Sequence, residues 1–184
     1  MTVPEFKAWP SLSRLATETV TITEKVDGTN AIIHVSDEGE VHAGSRNRWL
    51  TAEADNFGFY AWVNANRDAV AKLGPGYHYG EWCGPGIQRG YDLPGKRWVS
   101  FAHYRKDDLS AMHPDMSTVP VMYHGEWHPM LPEVQIAMLL HFGSIFQPGF
   151  ARPEGIVIEF HRAKAKFKKL CENDKIPKTQ GAWP

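Results

Sequence analysis

The stretch EKVDGTN, residues 24–30, joins two segments that have the alternating pattern of β-strands. Residues 19–23 alternate threonine with valine and isoleucine, and residues 31–35 read AIIHV. β-Branched residues at period two favour strands, and Asp-Gly between two such runs predicts a tight turn. Lys25 is therefore expected at a strand end, from which it can project into a cleft. On this stretch alone, an ordinary hairpin turn with a solvated lysine is the favoured interpretation.

The rest of the chain continues as short strands with few helices. Helices are predicted over 53–73, capped by Asp55 or Asn56, and from Pro132 to Leu140. No internal repeat and no Gly/Ser linker divides the chain, so the pattern predicts one α+β domain that is rich in antiparallel sheet. The further predicted strands are 40–45, 77–82, 98–104, 119–124, 155–160 and 163–167.

The composition is that of an ordinary globular domain. The 184 residues are 42% hydrophobic and 22% charged, which excludes a disordered chain, a collagen-like repeat and a coiled coil. No apolar run approaches the roughly 18 residues of a membrane span, and residues 1–10 lack the apolar core of a secretory signal. A cytoplasmic protein without a membrane partner is expected. Cys83 and Cys171 are predicted to be free thiols.

Charge is distributed unevenly along the chain. The net charge is −1, but residues 151–184 hold eight Lys and Arg against four Asp and Glu. The first 150 residues hold twelve against seventeen. A polyanion is therefore expected to bind near the basic C-terminal part.

Two segments carry residues suited to binding a nucleotide. Residues 44–48, GSRNR, place Arg46 and Arg48 beside a strand end, where guanidinium groups can fork onto phosphate oxygens. Residues 79–88, YGEWCGPGIQ, surround Glu81 with aromatic residues and glycines, so its carboxylate could accept hydrogen bonds from ribose hydroxyls. Taken alone, the first segment reads as a solvated loop, and the second reads equally well as a strand edge followed by a turn.

Three further features fit the same ligand. Phe101 could stack on a purine, although core packing is the commoner role of a strand aromatic. Glu154 precedes a strongly apolar strand and offers the oxygen ligand that Mg²⁺ prefers. Lys164, Lys166 and Lys168 share one face if their segment is a strand, where they could neutralise a triphosphate or form a solvated basic edge.

Together and in this order, these features resemble the covalent nucleotidyltransferase superfamily of ATP-dependent DNA and RNA ligases and mRNA capping enzymes. Within it, the chain looks most similar to the phage RNA ligases that seal nicks in duplex RNA and to the RNA-editing ligases. The resemblance spans residues 6–170. The stretches that carry it are FKAWPSLSRL at 6–15, EKVDGTN at 24–30, GEWCGPGIQ at 80–88, EGIVIEF at 154–160 and KAKFKKL at 164–170.

The resemblance implies a three-step reaction with ATP and Mg²⁺ or Mn²⁺. Lys25 would attack the α-phosphorus of ATP and form a lysyl–AMP. AMP would then pass to an RNA 5′-phosphate, and an RNA 3′-hydroxyl would attack that end and expel AMP. Glu154 would serve the metal and the lysine, Lys164 and Lys166 would hold the phosphates, and Asn30 would orient the pyrophosphate or the sealing step.

The resemblance also implies contacts to the nucleoside. Glu24 would help to read the adenine amino group, and Phe101 would stack on the adenine. Glu81 would bind the ribose hydroxyls. Arg46 would contact the nucleotide or the acceptor phosphate.

The implied fold is an adenylation domain in which antiparallel sheets and flanking helices surround an ATP cleft. The expectation is a single minimal adenylyltransferase domain over 1–184, without a C-terminal accessory domain. The chain departs from the compared ligases at Ala102, where an aspartate usually follows the phenylalanine.

Two alternatives stay open. The same covalent chemistry could serve DNA ends or capping by GTP. The chain could also be a nucleotide-binding module that acts through a protein partner supplying RNA binding. The nine histidines show no metal-ligand spacing, and only His103, beside the predicted adenine strand, draws attention.

Overall fold

The computed structural model describes residues 3–12 and 14–174. Within these ranges, nine strands and four α-helices follow a short 3₁₀ turn at Leu15–Thr17. The helices are α1 (Phe59–Ala65), α2 (Arg67–Ala71), α3 (Leu109–Met112) and α4 (Leu131–Phe142). The strands are β1 (Thr19–Lys25), β2 (Thr29–Val35), β3 (Val41–Gly44), β4 (Gly76–Cys83), β5 (Arg97–Ser100), β6 (Met116–Thr118), β7 (Val121–Glu126), β8 (Gly155–Phe160) and β9 (Ala165–Leu170).

The strands form two sheets. The four-stranded sheet has the order β7-β1-β8-β9, and the five-stranded sheet has the order β3-β2-β4-β5-β6. Neighbouring strands are antiparallel except for the β5–β6 pair. The predicted α+β class with antiparallel sheets and few helices is confirmed.

The Asp27-Gly28 turn does not close a hairpin. β1 pairs with β7 and β8, whereas β2 pairs with β3 and β4, so these residues carry the chain from one sheet to the other. The Asp27 backbone N–H donates to Tyr91 Oη at 2.8 Å, and the Gly28 N–H donates to Glu81 Oε1 at 3.0 Å. The hairpin interpretation is wrong because alternation of residue types predicts that two strands exist but does not predict which strands they pair with.

Three apolar clusters hold the sheets and helices together. α4 covers the four-stranded sheet, α1 and α2 cover the five-stranded sheet, and a third cluster lies around the crossing between the sheets. Representative members are Ile22, Ile156 and Leu139 in the first cluster, Ile33, Val63 and Trp82 in the second, and Val26, Tyr91 and Val99 in the third. None of the helices in the described ranges has the length and apolarity to cross a bilayer.

The predicted helix over 53–73 starts later and is divided. Phe57 and Gly58 have φ angles of 52° and 81°, which a right-handed helix cannot accommodate, so α1 begins at residue 59. The predicted cap at Asp55 nevertheless acts on this helix, because its carboxylate accepts hydrogen bonds from the N–H groups of residues 60 and 61.

Several predicted strands have shifted ends. β5 ends at Ser100, so Phe101 follows the strand rather than lying within it. β7 begins at Val121, and β6 was not predicted. β9 begins at Ala165, and Lys164 lies in the preceding turn with φ 51°.

Gly28 leaves no room for a side chain at the crossing between the sheets. A Cβ there would lie 2.3 Å from the backbone carbonyl oxygen of Trp82. Since the Trp82 carbonyl and residue 28 both belong to the backbone of the sheets, neither can move aside without shifting a strand. The close approach of residue 28 to β4 therefore requires glycine.

Gly28→Ala is expected to lower the free energy of unfolding by about 1–3 kcal/mol, because the added methyl group overlaps the β4 backbone. Gly95→Ala is the matched control, since a Cβ at Gly95 meets nothing within 4 Å. Thermal unfolding of both variants measures the difference. Equal melting temperatures for the two variants would contradict the packing described for the crossing.

Candidate active site

Lys25 lies in a cleft of about 560 Å³ between the two sheets. The four-stranded sheet presents one face to this cleft. Lys25, Val157 and Lys168 share that face, because Thr23 pairs with Val157 and Val157 pairs with Lys168. The residues that line the cleft from this sheet are Thr21, Thr23, Glu24, Lys25, Val157, Glu159, Lys166 and Lys168.

The Lys25 amine is held by a buried carboxylate. Lys25 Nζ donates to Glu154 Oε2 at 2.7 Å, and the two side chains are 21% and 3% exposed. Lys25 also pairs with Gly155 in the β1–β8 register, so Glu154 lies one residue beyond the partner of the lysine. A Cβ at Gly155 would lie 2.2 Å from the Lys169 carbonyl oxygen, so β8 approaches β9 closely at this point. The amine therefore lies in the cleft, partly exposed and paired with a buried carboxylate.

The opposite wall of the cleft carries Glu81 on β4. Its carboxylate accepts hydrogen bonds from the Gly28 N–H at 3.0 Å and from Asn30 Nδ2 at 3.2 Å. Burial raises the pKa of Glu81 to about 7, against the opposing effect of the nearby Lys25 charge. The sequence-predicted residues Asn30 and Glu81 thus meet as register partners on β2 and β4.

Glu24 also belongs to the cleft lining, and its carboxylate is held by hydrogen bonds. The side chain is fully buried and accepts hydrogen bonds from Ser144 Oγ at 2.6 Å and from the N–H groups of Ile145 and Phe146 at 2.7 and 2.8 Å. Neighbouring strand residues point to opposite faces, so the Glu24 and Lys25 side chains leave β1 on opposite faces. Burial raises the pKa of Glu24. In the structure this carboxylate anchors the loop after α4, and its expected contact with adenine stays a prediction.

Of the predicted lysines, Lys166 lines the cleft and Lys164 does not. Lys164 lies in the turn before β9 and has a positive φ. It therefore does not follow the strand alternation that places Lys166 and Lys168 on one face. Lys168 lines the cleft in its place. Lys166 Nζ lies 3.0 Å from Glu159 Oε2.

The two arginines of the 44–48 segment differ in their surroundings. Arg46 lines the cleft. The Arg48 guanidinium donates to the backbone carbonyls of Ala54 and Asp55 at 2.5 and 3.4 Å, and so it holds its own loop. Arg46 is therefore the arginine placed to meet a ligand.

Apolar side chains complete the cleft. Phe101 is 38% exposed and borders the cleft directly after β5, together with Val119 and Val157. Its backbone N–H donates to the Tyr79 carbonyl at 2.9 Å, which fixes the position of the ring relative to β4. The ring is available to a planar ligand rather than packed in the core.

The sequence interpretation missed the cleft threonines. Thr21 and Thr23 lie two and four residues before Lys25, so period two alone places them on its face. Thr21 Oγ1 lies 2.9 Å from His124 Nδ1 and 2.8 Å from His161 Nε2, contacts that need the register of three strands.

His103 also lines the cleft, and burial lowers its pKa. In the described ranges, no group of three or more His, Cys, Asp or Glu side chains is placed to hold a metal ion.

Comparison with known proteins identifies the family. The family described as RNA ligase matches residues 18–171, which is most of the chain. The chain belongs to the RNA ligase family. No curated protein matches its sequence.

Solved structures agree with the RNA ligase fold. A mutant of Naegleria gruberi RNA ligase with ATP and Mn has a TM-score of 0.65 at 19% identity, over 86% of this chain and 51% of that one. The same ligase with PPi has a TM-score of 0.64 at 20% identity, over 85% of this chain and 50% of that one. The chain thus spans about half the length of these structures, and the likeness shows a shared fold.

Four of the five stretches that resemble ligase sequences meet at the cleft in this RNA ligase family member. EKVDGTN contributes Lys25, GEWCGPGIQ contributes Glu81, EGIVIEF contributes Glu154 and KAKFKKL contributes Lys166, from four separate strands or strand ends. They converge although as many as 141 positions separate the first from the last. The KAKFKKL stretch contributes Lys166 and Lys168, and the Lys164 expectation is corrected for the reason given above.

The raised pKa of Glu81 predicts a pH-dependent contribution to stability. The folded state holds the proton of the Glu81 carboxyl more tightly than the unfolded chain does, because the pKa is about 7 in the folded state and 4.5 in the unfolded chain. Ionisation therefore opposes folding, and stability falls as the pH rises through this window. Between about pH 5 and 8, wild type is expected to lose up to about 3 kcal/mol relative to Glu81→Gln.

Urea unfolding of both proteins at each pH measures this difference. Glu38→Gln, at a solvent-exposed turn position, is the matched control and is expected to follow wild type. A Glu81→Gln variant whose stability relative to wild type does not change with pH would show that Glu81 ionises normally in the fold.

Proposed function

We propose that this protein is an ATP-dependent RNA ligase that works through a lysyl–AMP on Lys25. The observation that carries the proposal is the Lys25 Nζ–Glu154 Oε2 contact of 2.7 Å, in a cleft between sheets of an RNA ligase family chain. We further propose that residues 18–171 form one adenylation unit of the covalent nucleotidyltransferase superfamily. The Naegleria relative solved with PPi, the product that lysyl–AMP formation releases, supports this reaction class.

The first step uses the amine directly. The Lys25 ammonium first loses one proton to solvent, and the neutral Nζ then attacks the α-phosphorus, so an N–P bond forms, the bond from the α-phosphorus to the β-phosphate oxygen breaks, and pyrophosphate leaves. Glu154 Oε2, already hydrogen-bonded to Nζ, accepts the proton that the amine loses. Lys166, Lys168 and Arg46 line the same cleft and neutralise charge on the phosphates.

The other wall suits the nucleoside. The Glu81 carboxylate is proposed to accept hydrogen bonds from ribose hydroxyls, and Asn30 Nδ2 orients that carboxylate. Phe101 is proposed to stack on adenine, since its ring borders the cleft and is partly exposed. This gives Asn30 a positioning role at Glu81, and its expected role in orienting the pyrophosphate or the sealing step stays a prediction.

A divalent metal fits this donor set. Mg²⁺ and Mn²⁺ favour oxygen ligands, and Mg²⁺ is usually held by one or two carboxylates together with substrate phosphates and water. The described residues hold no cluster of three candidate ligands, so Glu154 and the ATP phosphates would hold the ion together. When bound, it would supply positive charge at the phosphates. The Naegleria ligase mutant solved with ATP and Mn supports this choice.

RNA enters in the later steps. A 5′-phosphate oxygen attacks the α-phosphorus of lysyl–AMP, the N–P bond breaks, and Lys25 regains its proton. A 3′-hydroxyl then attacks the activated 5′-phosphorus, a phosphodiester forms, and AMP leaves. A protein partner that supplies further RNA contacts stays a prediction.

Sealing of labelled RNA tests this proposal. Wild type with ATP and Mg²⁺ or Mn²⁺ is expected to join 5′-phosphate and 3′-hydroxyl ends. Lys25→Ala should fail with 5′-phosphorylated RNA, because it cannot form lysyl–AMP. The same variant should still join RNA that already carries 5′-linked AMP, since that reaction needs no nucleophilic lysine.

Two lysine variants sharpen this assay. Lys168→Ala is expected to lose about 10²-fold in ATP-dependent sealing, the usual cost of removing one group that stabilises developing charge. Lys164→Ala is the matched control from the same segment, outside the cleft, and is expected to stay close to wild type. ATP-dependent sealing by Lys25→Ala would overturn the proposal.

A further inference from the structure

Exposed aromatic side chains continue the nucleotide cleft along the open face of the five-stranded sheet. Tyr77 and Tyr79 on β4 are 56% and 54% exposed, and Trp49, which follows β3, is 51% exposed. Both tyrosines share a face with Glu81, because they lie two and four residues before it on the same strand. The row therefore begins beside the cleft and leads away from it.

The three rings have a regular arrangement. The Tyr77 and Tyr79 ring centres are 6.2 Å apart with an interplanar angle of 16°. The Trp49 and Tyr77 ring centres are also 6.2 Å apart, with an angle of 28°. His34 supports the middle of the row, with its ring centre 4.5 Å from that of Tyr77. Nearly parallel, exposed rings at even spacing are a platform for planar groups.

Tyr77 and Tyr79 line a groove of about 590 Å³ that joins the cleft, and Trp49 extends the row beyond the groove, next to Tyr77. The groove and the cleft share Asn30, Arg46, Phe101 and Lys166 in their linings. Thus a chain lying in the groove can reach the reaction centre without crossing a wall.

The groove has the charge of an anion site. Among the described residues that line it there are arginines and a lysine but no carboxylate. Arg105 pairs with Asp107 at 2.9 Å and Lys166 with Glu159 at 3.0 Å, both carboxylates lying outside this lining. Arg46 adds a third cation, between the aromatic row and the cleft.

We propose that this groove binds the single-stranded end of an RNA substrate, with bases stacked on Tyr79, Tyr77 and Trp49. Its phosphates would lie toward Arg46, and its terminus would enter the cleft. Stacking on aromatic rings beside basic residues is the usual mode of single-strand binding and tolerates any base. Bases within a duplex are already stacked and cannot use the platform. The inference rests on the proposed function, because it takes RNA as the acceptor.

Fluorescence anisotropy without ATP tests the platform separately from the covalent chemistry. The probe is a 5′-phosphorylated, 3′-labelled oligo(A) RNA of about ten nucleotides, within the usual site size. The double variant Tyr77→Ala/Tyr79→Ala is expected to bind it about tenfold or more weakly, because two stacking rings are lost. The double Tyr→Phe variant keeps both rings and is expected to restore binding to within about twofold of wild type.

Phe142→Ala is the matched control. Phe142 is an exposed aromatic on α4 outside the groove and the cleft, so its loss is expected to leave RNA binding unchanged. If the double alanine variant does not fold, Trp49→Ala carries the same test with an expected loss of about fivefold.

Salt dependence separates stacking from charge. The tyrosine variants are expected to keep the wild-type slope of log K against log salt, whereas Arg46→Gln should reduce it by about 0.7. A duplex RNA of the same length should bind more weakly than the single strand.

Two results would overturn the platform: unchanged single-strand binding by the tyrosine variants, or duplex binding as tight as single-strand binding. Covalent uptake of AMP by wild type needs no RNA and is read in parallel. If AMP uptake occurs while the platform fails, only this inference is lost.

Discussion

The chain crosses from one sheet to the other at residues 26–28, and this short crossing sets the geometry of the site. Lys25 ends β1 in one sheet, and Asn30 lies near the start of β2 in the other. The crossing is fixed by the Asp27 N–H to Tyr91 Oη bond, by the Gly28 N–H to Glu81 Oε1 bond, and by the absence of space for a Cβ at Gly28. Because so few residues span the gap, the amine on one sheet and the Glu81 carboxylate on the other are held across one cleft.

Three buried glutamates serve this arrangement in different ways. Glu24 accepts hydrogen bonds from a loop, Glu81 accepts them from the crossing and from Asn30, and Glu154 pairs with the Lys25 ammonium. A buried carboxylate is costly unless it is paired or hydrogen-bonded, so each partner set is a condition for folding as well as for the site. Burial raises the pKa of Glu24 and of Glu81, which leaves Glu81, at about 7, poised to change protonation near neutrality.

Periodicity and turn residues predicted most strands, and the resemblance predicted that Lys25, Glu81, Glu154 and Lys166 act together. Strand pairing could not be predicted from the sequence, and for this reason β1 and β2 were interpreted as a hairpin although they belong to different sheets. The expectation for Lys164 assumed that this lysine lies within the last strand. β9 instead begins at Ala165, and Lys164 has a positive φ in the turn before it. The Glu24 contacts with the loop after α4 join residues about 120 positions apart, so they too emerged only from the fold. The aromatic row needs Trp49 and two tyrosines brought together by the β2–β3 and β2–β4 registers, so it emerged only from the fold.

The proposed chemistry places one covalent event at one atom, Lys25 Nζ, and mass spectrometry can observe it. Folded protein is incubated with ATP and Mg²⁺ or Mn²⁺, and its intact mass and proteolytic peptides are then measured. We expect one added AMP per chain, located on the peptide that contains Lys25 and absent from Lys25→Ala. An adduct on another residue, or none in folded protein with either metal, would contradict the assignment of Lys25 as the nucleophile.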